Sequence, residues 1–254
     1  TGSGGVSVIN LNFEDEYFQG NQLDNLRIQS KGAVIIQKVS AGSSNTGMGI
    51  RIDNSTGGTS GVTLTQIKVT GNSGNGLDVL TKGAVTINGL DAYSNAGSGF
   101  SVVNNTGSAG VKITGAVVRF NTSHGGKVTT NGAVTVDTSQ FYSNNGHGLW
   151  VEYVTTTTAA TKVSRTTFDI HNLDGLFIDG GGSVTLNSLK STNSYGGGSN
   201  GVRVDNSGGT GTVTLLASYG ANLFDGNNSD GLNINTNGAV SLTNLVSQNN
   251  SGKG

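Results

Sequence analysis

The sequence predicts an all-β fold, a parallel β-helix in which three short strands make each of about ten coils. Three observations carry this expectation. A glycine-led tetrad with apolar residues at its second and fourth positions recurs along the chain; a second alternating segment follows it; and proline is absent from 254 residues that include 43 glycines.

The tetrad is plain in Gly49-Ile50-Arg51-Ile52, Gly76-Leu77-Asp78-Val79, Gly99-Phe100-Ser101-Val102, Gly148-Leu149-Trp150-Val151, Gly175-Leu176-Phe177-Ile178, Gly201-Val202-Arg203-Val204 and Gly231-Leu232-Asn233-Ile234, with degenerate copies at Asn25 and Gly125. From Gly49 to Gly254 the starts stand 27, 23, 26, 23, 27, 26, 30 and 23 residues apart. A recurrence of this length, with long and short units mostly alternating, marks a solenoid, and alternation of period two marks strands rather than helices.

The second strand reads Gly32-Ala33-Val34-Ile35-Ile36, Gly83-Ala84-Val85-Thr86-Ile87, Gly132-Ala133-Val134-Thr135-Val136 and Gly238-Ala239-Val240-Ser241-Leu242. A weaker third strand, as in 90–94 or 139–143, precedes a turn carrying Asn72, Asn95, Asn121, Asn144, Asn227 and Asn250 at equivalent positions. Such a column predicts an asparagine ladder, with His171 as a substitute hydrogen bonder on one rung. Stacked parallel coils explain the missing proline, because each strand donates its N–H groups to the next coil. The predicted core is a tube of aliphatic stacks: Leu77 and Val79 between Ile50, Ile52 and Phe100, Val102, with Val85 and Ile87 aligned to Val62, Leu64 and Val134, Val136.

The units ending Tyr93-Ser94-Asn95-Ala96-Gly97 and Tyr142-Ser143-Asn144-Asn145-Gly146 resemble the repeats of the pectin-lyase-like superfamily, in particular large bacterial surface proteins of adhesin type. The resemblance implies a right-handed coil, and places the active sites of carbohydrate-processing relatives on the outer face of the first strand. It does not choose between lyases, hydrolases, tailspikes and surface proteins, since one fold hosts many functions.

Composition removes other classes. A formal charge of -1 with both signs interspersed leaves no basic field for nucleic acid. No run is long and apolar enough to span a membrane, and absent cysteines exclude a disulfide framework. Phe18-Gln19-Gly20-Asn21 is echoed by Phe224-Asp225-Gly226-Asn227, and Thr1-Gly2-Ser3 by Thr106-Gly107-Ser108. Residues 1–254 are therefore expected to form a single uncapped solenoid, a segment of a longer repeat protein or a subunit that stacks end to end.

In a solenoid, functional groups collect in columns across coils. The predicted outward column of the first strand brings Glu152, Asp179 and Asp205 onto consecutive coils, flanked by Trp150, Phe177 and Arg203. Exposed aromatic rings in a carboxylate-lined groove stack on sugars while the acids and Arg203 bind hydroxyls or uronates. Stacked carboxylates also raise one another's pKa, the basis of acid–base catalysis. Few basic residues near these acids and no long walling loops weigh against an enzyme.

A second column, His124, His147 and Asp174, has metal-ligand residue types. It continues as Asn75, Ser98, Asn200 and Asp230, so it reads as a solvated turn and no metal is assigned. Asp53-Asn54-Ser55 and Asp205-Asn206-Ser207 lack calcium-loop spacing. The threonines at 155–158 and the outward column Thr63, Thr86, Thr135, Thr185 and Thr214, interrupted by Ile35, Lys112 and Lys162, reflect β-propensity. Glu14-Asp15-Glu16 reads as a solvated acidic loop. The expected function is an extracellular structural or adhesive β-solenoid of a fibre, stalk or surface layer, partnered by copies of itself or by a surface glycan. The enzymatic alternative is a polysaccharide lyase or glycoside hydrolase. No catalytic residue or cofactor is assigned.

Overall fold

The computed structural model describes residues 4–10, 16–155 and 158–253. Thr1-Gly2-Ser3, Glu14 and Asp15 of the acidic insert, Thr156, Thr157 and the repeat start at Gly254 lie outside the described residues. Among those described, every element is a strand and every strand pairing is parallel. Among the described residues no helix is long and apolar enough to cross a membrane.

The first face is a nine-stranded sheet running from Leu26–Gln29 to Leu232–Thr236. The other two faces form one 17-stranded sheet. They are joined because Val34–Gly42, Val62–Thr70 and Val85–Tyr93 turn the corner without breaking and serve both. Later coils divide there, as in Val111–Thr114 and Val117–Arg119. The corner requires positive φ in every coil from Lys38 to Ser188. Gly89 and Gly115 adopt it without steric cost, whereas Thr138 at φ 50° is held there against its β-branched preference.

The register places Leu77 beside Ile50 and Phe100, and Val85 beside Val62 and Val111. These inward residues are all buried, as the alternation requires. The tube adapts locally to side-chain size. Gly126 stands in register with Phe100 and Leu149, and the Phe100 ring occupies the space a side chain at Gly126 would fill. Phe141 carries this aromatic seam to Phe168, the two rings stacked at 5.3 Å.

At the turn after the third strand the asparagine ladder forms as the column predicts. Asn72 Nδ2 donates to Asn95 Oδ1 at 2.9 Å, Asn95 to Asn121 at 3.0 Å and Asn121 to Asn144 at 2.9 Å. Each receiving oxygen also accepts the backbone N–H of the preceding rung, at 3.1 Å. The second amide hydrogen reaches a main-chain carbonyl at 3.3 Å, such as Val69 or Ala92. Fully satisfied polar groups are what a buried turn must contain, since an unpaired amide costs about 1–3 kcal/mol.

His171 fills the next rung. The Asn144 N–H donates to its Nδ1 at 3.4 Å, and its Nε2 meets the Phe141 carbonyl at 3.1 Å, which assigns the neutral tautomer protonated at Nε2. Burial lowers its pKa to about 4, opposed by these backbone hydrogen bonds. The ladder resumes with Asn227 and Asn250, 2.9 Å apart.

Candidate functional site

Alternation turns every second residue of the first sheet outward, and parallel register stacks those residues about 4.8 Å apart. Lys127 aligns with Trp150, Trp150 with Phe177, and Phe177 with Arg203. The four side chains pack into a continuous rib. Lys127 Nζ lies 3.5 Å from the Trp150 ring centroid, the Trp150 and Phe177 rings stack at 5.9 Å with 21° between planes, and Arg203 Cζ caps Phe177 at 3.7 Å. Cation–π attraction at both ends closes the aromatic stack.

Two residues along each strand runs the acidic row. Glu152 is held by Lys127 Nζ at 3.1 Å and accepts from Thr129 Oγ1 at 3.1 Å. Asp179, the next rung, is exposed, and its pKa is raised by partial desolvation and then by the carboxylates of Asp205 and Glu152, with Arg203 opposing. Asp205 accepts from Ser207 Oγ at 2.6 Å and Asn235 Nδ2 at 3.3 Å.

The third column stands three residues before the rib. His124 and His147 stack at 5.3 Å, and Trp150 meets them edge-on at 5.4 and 5.8 Å. His147 Nδ1 lies 3.6 Å from Asp174 Oδ2, and Arg203 Nε lies 3.2 Å from the same oxygen. Asn200 donates its backbone and side-chain N–H groups to Asp174 Oδ1 at 2.7 and 3.0 Å. Burial, followed by the fields of His124 and Arg203, takes the His147 pKa down to about 3, so the imidazole is neutral at pH 7. Burial raises the Asp174 pKa, against the Asn200 hydrogen bonds and Arg203. Beside this group opens a cleft of about 220 Å³, walled by Leu173, Gly197, Gly198 and Ser199. It offers a guanidinium, a neutral imidazole and a hydroxyl to a small polar ligand.

The structure brings Glu152, Asp179 and Asp205 together as the column predicts, with Trp150, Phe177 and Arg203 alongside. It corrects the reading of both aromatics as exposed platforms. Phe177 is only 9% exposed, and the faces of both rings are covered by their neighbours in the rib. Arg203 makes its ion pair with Asp174, and reaches the acidic row only through its field at Asp179. The solvated-turn reading of His147 and Asp174 also fails, because they are 8% and 4% exposed. Among the described residues Glu152 is the one member of the acidic row that forms an ion pair, with Lys127.

Lys127 was missing from the sequence-derived site, although it shares the column of Trp150. The merger of the two columns had a signal as well: His124–Lys127, His147–Trp150, Asp174–Phe177 and Asn200–Arg203 all keep one three-residue offset.

No group of three or more His, Cys, Asp or Glu able to hold a metal ion occurs among the described residues. Asp53 and Asp205 spend their Oδ1 atoms on the following serines, closing their own turns. The threonine column is interrupted by Ile35, Lys112 and Lys162 in the register expected.

Comparison with known proteins agrees with this architecture. No curated protein matches the chain. Among solved structures, the A-module of the mannuronan C-5 epimerase AlgE6 from Azotobacter vinelandii is similar, with a TM-score of 0.54 and 16% identity over 87% of this chain. The match spans 65% of that module, under two thirds of its length. The AlgE4 A-module from the same organism aligns with 97% of this chain and 91% of its own, at 12% identity and a TM-score of 0.39. The first likeness is one of fold. A family model described as a right handed beta helix region matches residues 1–168 and 49–214. With most of the chain matched and its parallel coils in register, this protein belongs to the right-handed β-helix family.

Proposed function

We propose that this chain is an extracellular structural or adhesive β-solenoid that holds a glycan along the outer side of its first face. The observation that carries the reading is the paired rib and acidic row. Side chains from consecutive coils are locked by stacking and ion pairs into a stiff strip, with Asp179 exposed beside it. A strip of carboxylate acceptors set at one-coil intervals suits hydroxyl groups of an extended chain lying along the solenoid axis. Because both rings are covered, sugars engage the acids and the rim of Trp150 rather than an aromatic face.

Binding of immobilised protein to a panel of neutral and acidic polysaccharides tests this reading. Asp179→Asn with Asp205→Asn weakens binding of the recognised glycan by about tenfold, as expected for the loss of charge-assisted hydrogen bonds. Unaltered binding by a folded double variant refutes the assignment. Micrographs test the fibre role separately: continuous filaments support it, and isolated monodisperse rods oppose it.

A second reading, a carbohydrate-active enzyme, is favoured by one observation. The buried His147 and Asp174, with the partly exposed Arg203 beside them, border a cleft. Product release from a polyuronate that disappears in His147→Gln would replace the adhesive assignment with this one.

A further inference from the structure

The molecule contains five arginines, and three share one arrangement. Arg119 pairs with Asp91 at 2.7 Å and lies 4.8 Å from the Tyr93 ring centroid. Arg165 pairs with Asp137 and lies 4.7 Å from that of Tyr219. Arg203 pairs with Asp174 at 3.2 Å and lies 3.7 Å from that of Phe177. Each cation is thus neutralised by a carboxylate and packed on a ring.

Arg27 and Arg51 break the pattern. They are register partners on adjacent strands of the first face, so their backbones stand about 4.8 Å apart and both side chains project outward. Among the described residues neither makes an ion pair, a hydrogen bond or a ring contact. Both line one cavity of about 470 Å³, together with Asp24, Met48, Gly47 and Gly74.

Three carboxylates flank the pair without clasping it. Asp24 Oδ1 accepts the Met48 N–H at 2.9 Å, and Asp53 Oδ1 accepts both Ser55 donors. Asp78 is in register with Arg51 but makes no ion pair with it, and accepts a long hydrogen bond from Asn75 Nδ2 at 3.5 Å. The fields of Arg51 and Arg27 reach Asp53 and that of Arg51 reaches Asp78, yet no carboxylate occupies the planar donor forks, whose one-coil spacing is matched by an oxyanion bridging them.

We propose that Arg27 and Arg51 form a binding site for an oxyanion, the carboxylate or sulfate group of a ligand the size of one sugar residue. The pair and the cavity wall, which includes Asp24, fix its orientation. The site lies on the same face as the Trp150 rib but four strands away from Lys127, counted from Arg27. It does not rest on the adhesive reading.

The test is a titration of the isotopically labelled full chain with sodium glucuronate, glucose 6-sulfate and neutral glucose, following the backbone amides of Gly47 and Gly74 by NMR. One or both anions should shift these signals in a saturable way while glucose does not, and whichever acts identifies the anionic group. Arg51→Gln should weaken binding at least about tenfold. Arg51→Lys, which keeps charge and fold but loses the planar fork, should fall between, and Arg119→Gln should bind normally. The proposal is overturned if neither anion shifts the signals, if glucose acts equally, or if the folded Arg51→Lys and Arg51→Gln proteins bind like the unaltered chain.

Discussion

Replacing His171 with asparagine separates the ladder's geometry from its chemistry. In the native protein the ring is fully buried and its Nδ1 accepts the Asn144 N–H, so protonation removes an acceptor and places a charge inside the turn. The folded pKa is about 4, against 6.5 for a free imidazole. The unfolded chain therefore takes up the proton first. His171 leaves stability intact above pH 6.5 and removes it progressively as pH falls toward 4. At pH 4.5 the accumulated loss is about 2–3 kcal/mol, from 1.36 kcal/mol per pKa unit. His171→Asn abolishes that loss and restores the acceptor used at Asn95, Asn121 and Asn144, worth about 1 kcal/mol at any pH. Urea unfolding followed by the single tryptophan, one coil from His171, measures both proteins at pH 7.5 and 4.5. The other buried histidines and acids are common to both, so their titrations cancel in the comparison. The variant's advantage should widen by about 2–3 kcal/mol at the lower pH. An advantage of equal size at both pH values would refute the assignment of His171 as a buried acceptor.

Two further perturbations test the packing and the buried ion pair. Gly126→Ala drives a methyl group into the Phe100 ring and should lower stability by about 1–3 kcal/mol; adding Phe100→Leu should recover part of it, and strict additivity in denaturant melts would contradict the shared space. Arg203→Gln leaves the Asp174 carboxylate buried without its cation and should cost about 1–3 kcal/mol at pH 7. Because burial already raises the Asp174 pKa, that cost should shrink as pH falls through the raised value and the carboxyl becomes neutral. A deficit that stays constant through the acid titration argues against this origin.

Much of the fold was legible because a solenoid writes its contacts into its spacing. Once Leu77 was aligned with Ile50 and Phe100, the same offsets placed Glu152 beside Asp179 and assigned His171 to a rung. What the spacing leaves out is lateral reach. Columns record which coil follows which, but not that Arg203 leans across to Asp174 or that Lys127 lies over Trp150, because long side chains choose among several neighbours by packing. Burial was misread for the same reason. Phe177 is outward by alternation and nevertheless covered, since its neighbours in the stack are as large as it is.

Interchangeable tiers create a threading problem that the Phe100–Gly126 pair helps to solve. A coil docked one level too early would still find amides for its asparagine and aliphatic partners for its strands, so most of the stack cannot distinguish right from wrong neighbours. The oversized ring fits only above the one level with no side chain to oppose it. A mismatched level thus acts as a landmark, giving an otherwise repetitive chain a unique place from which to count its turns.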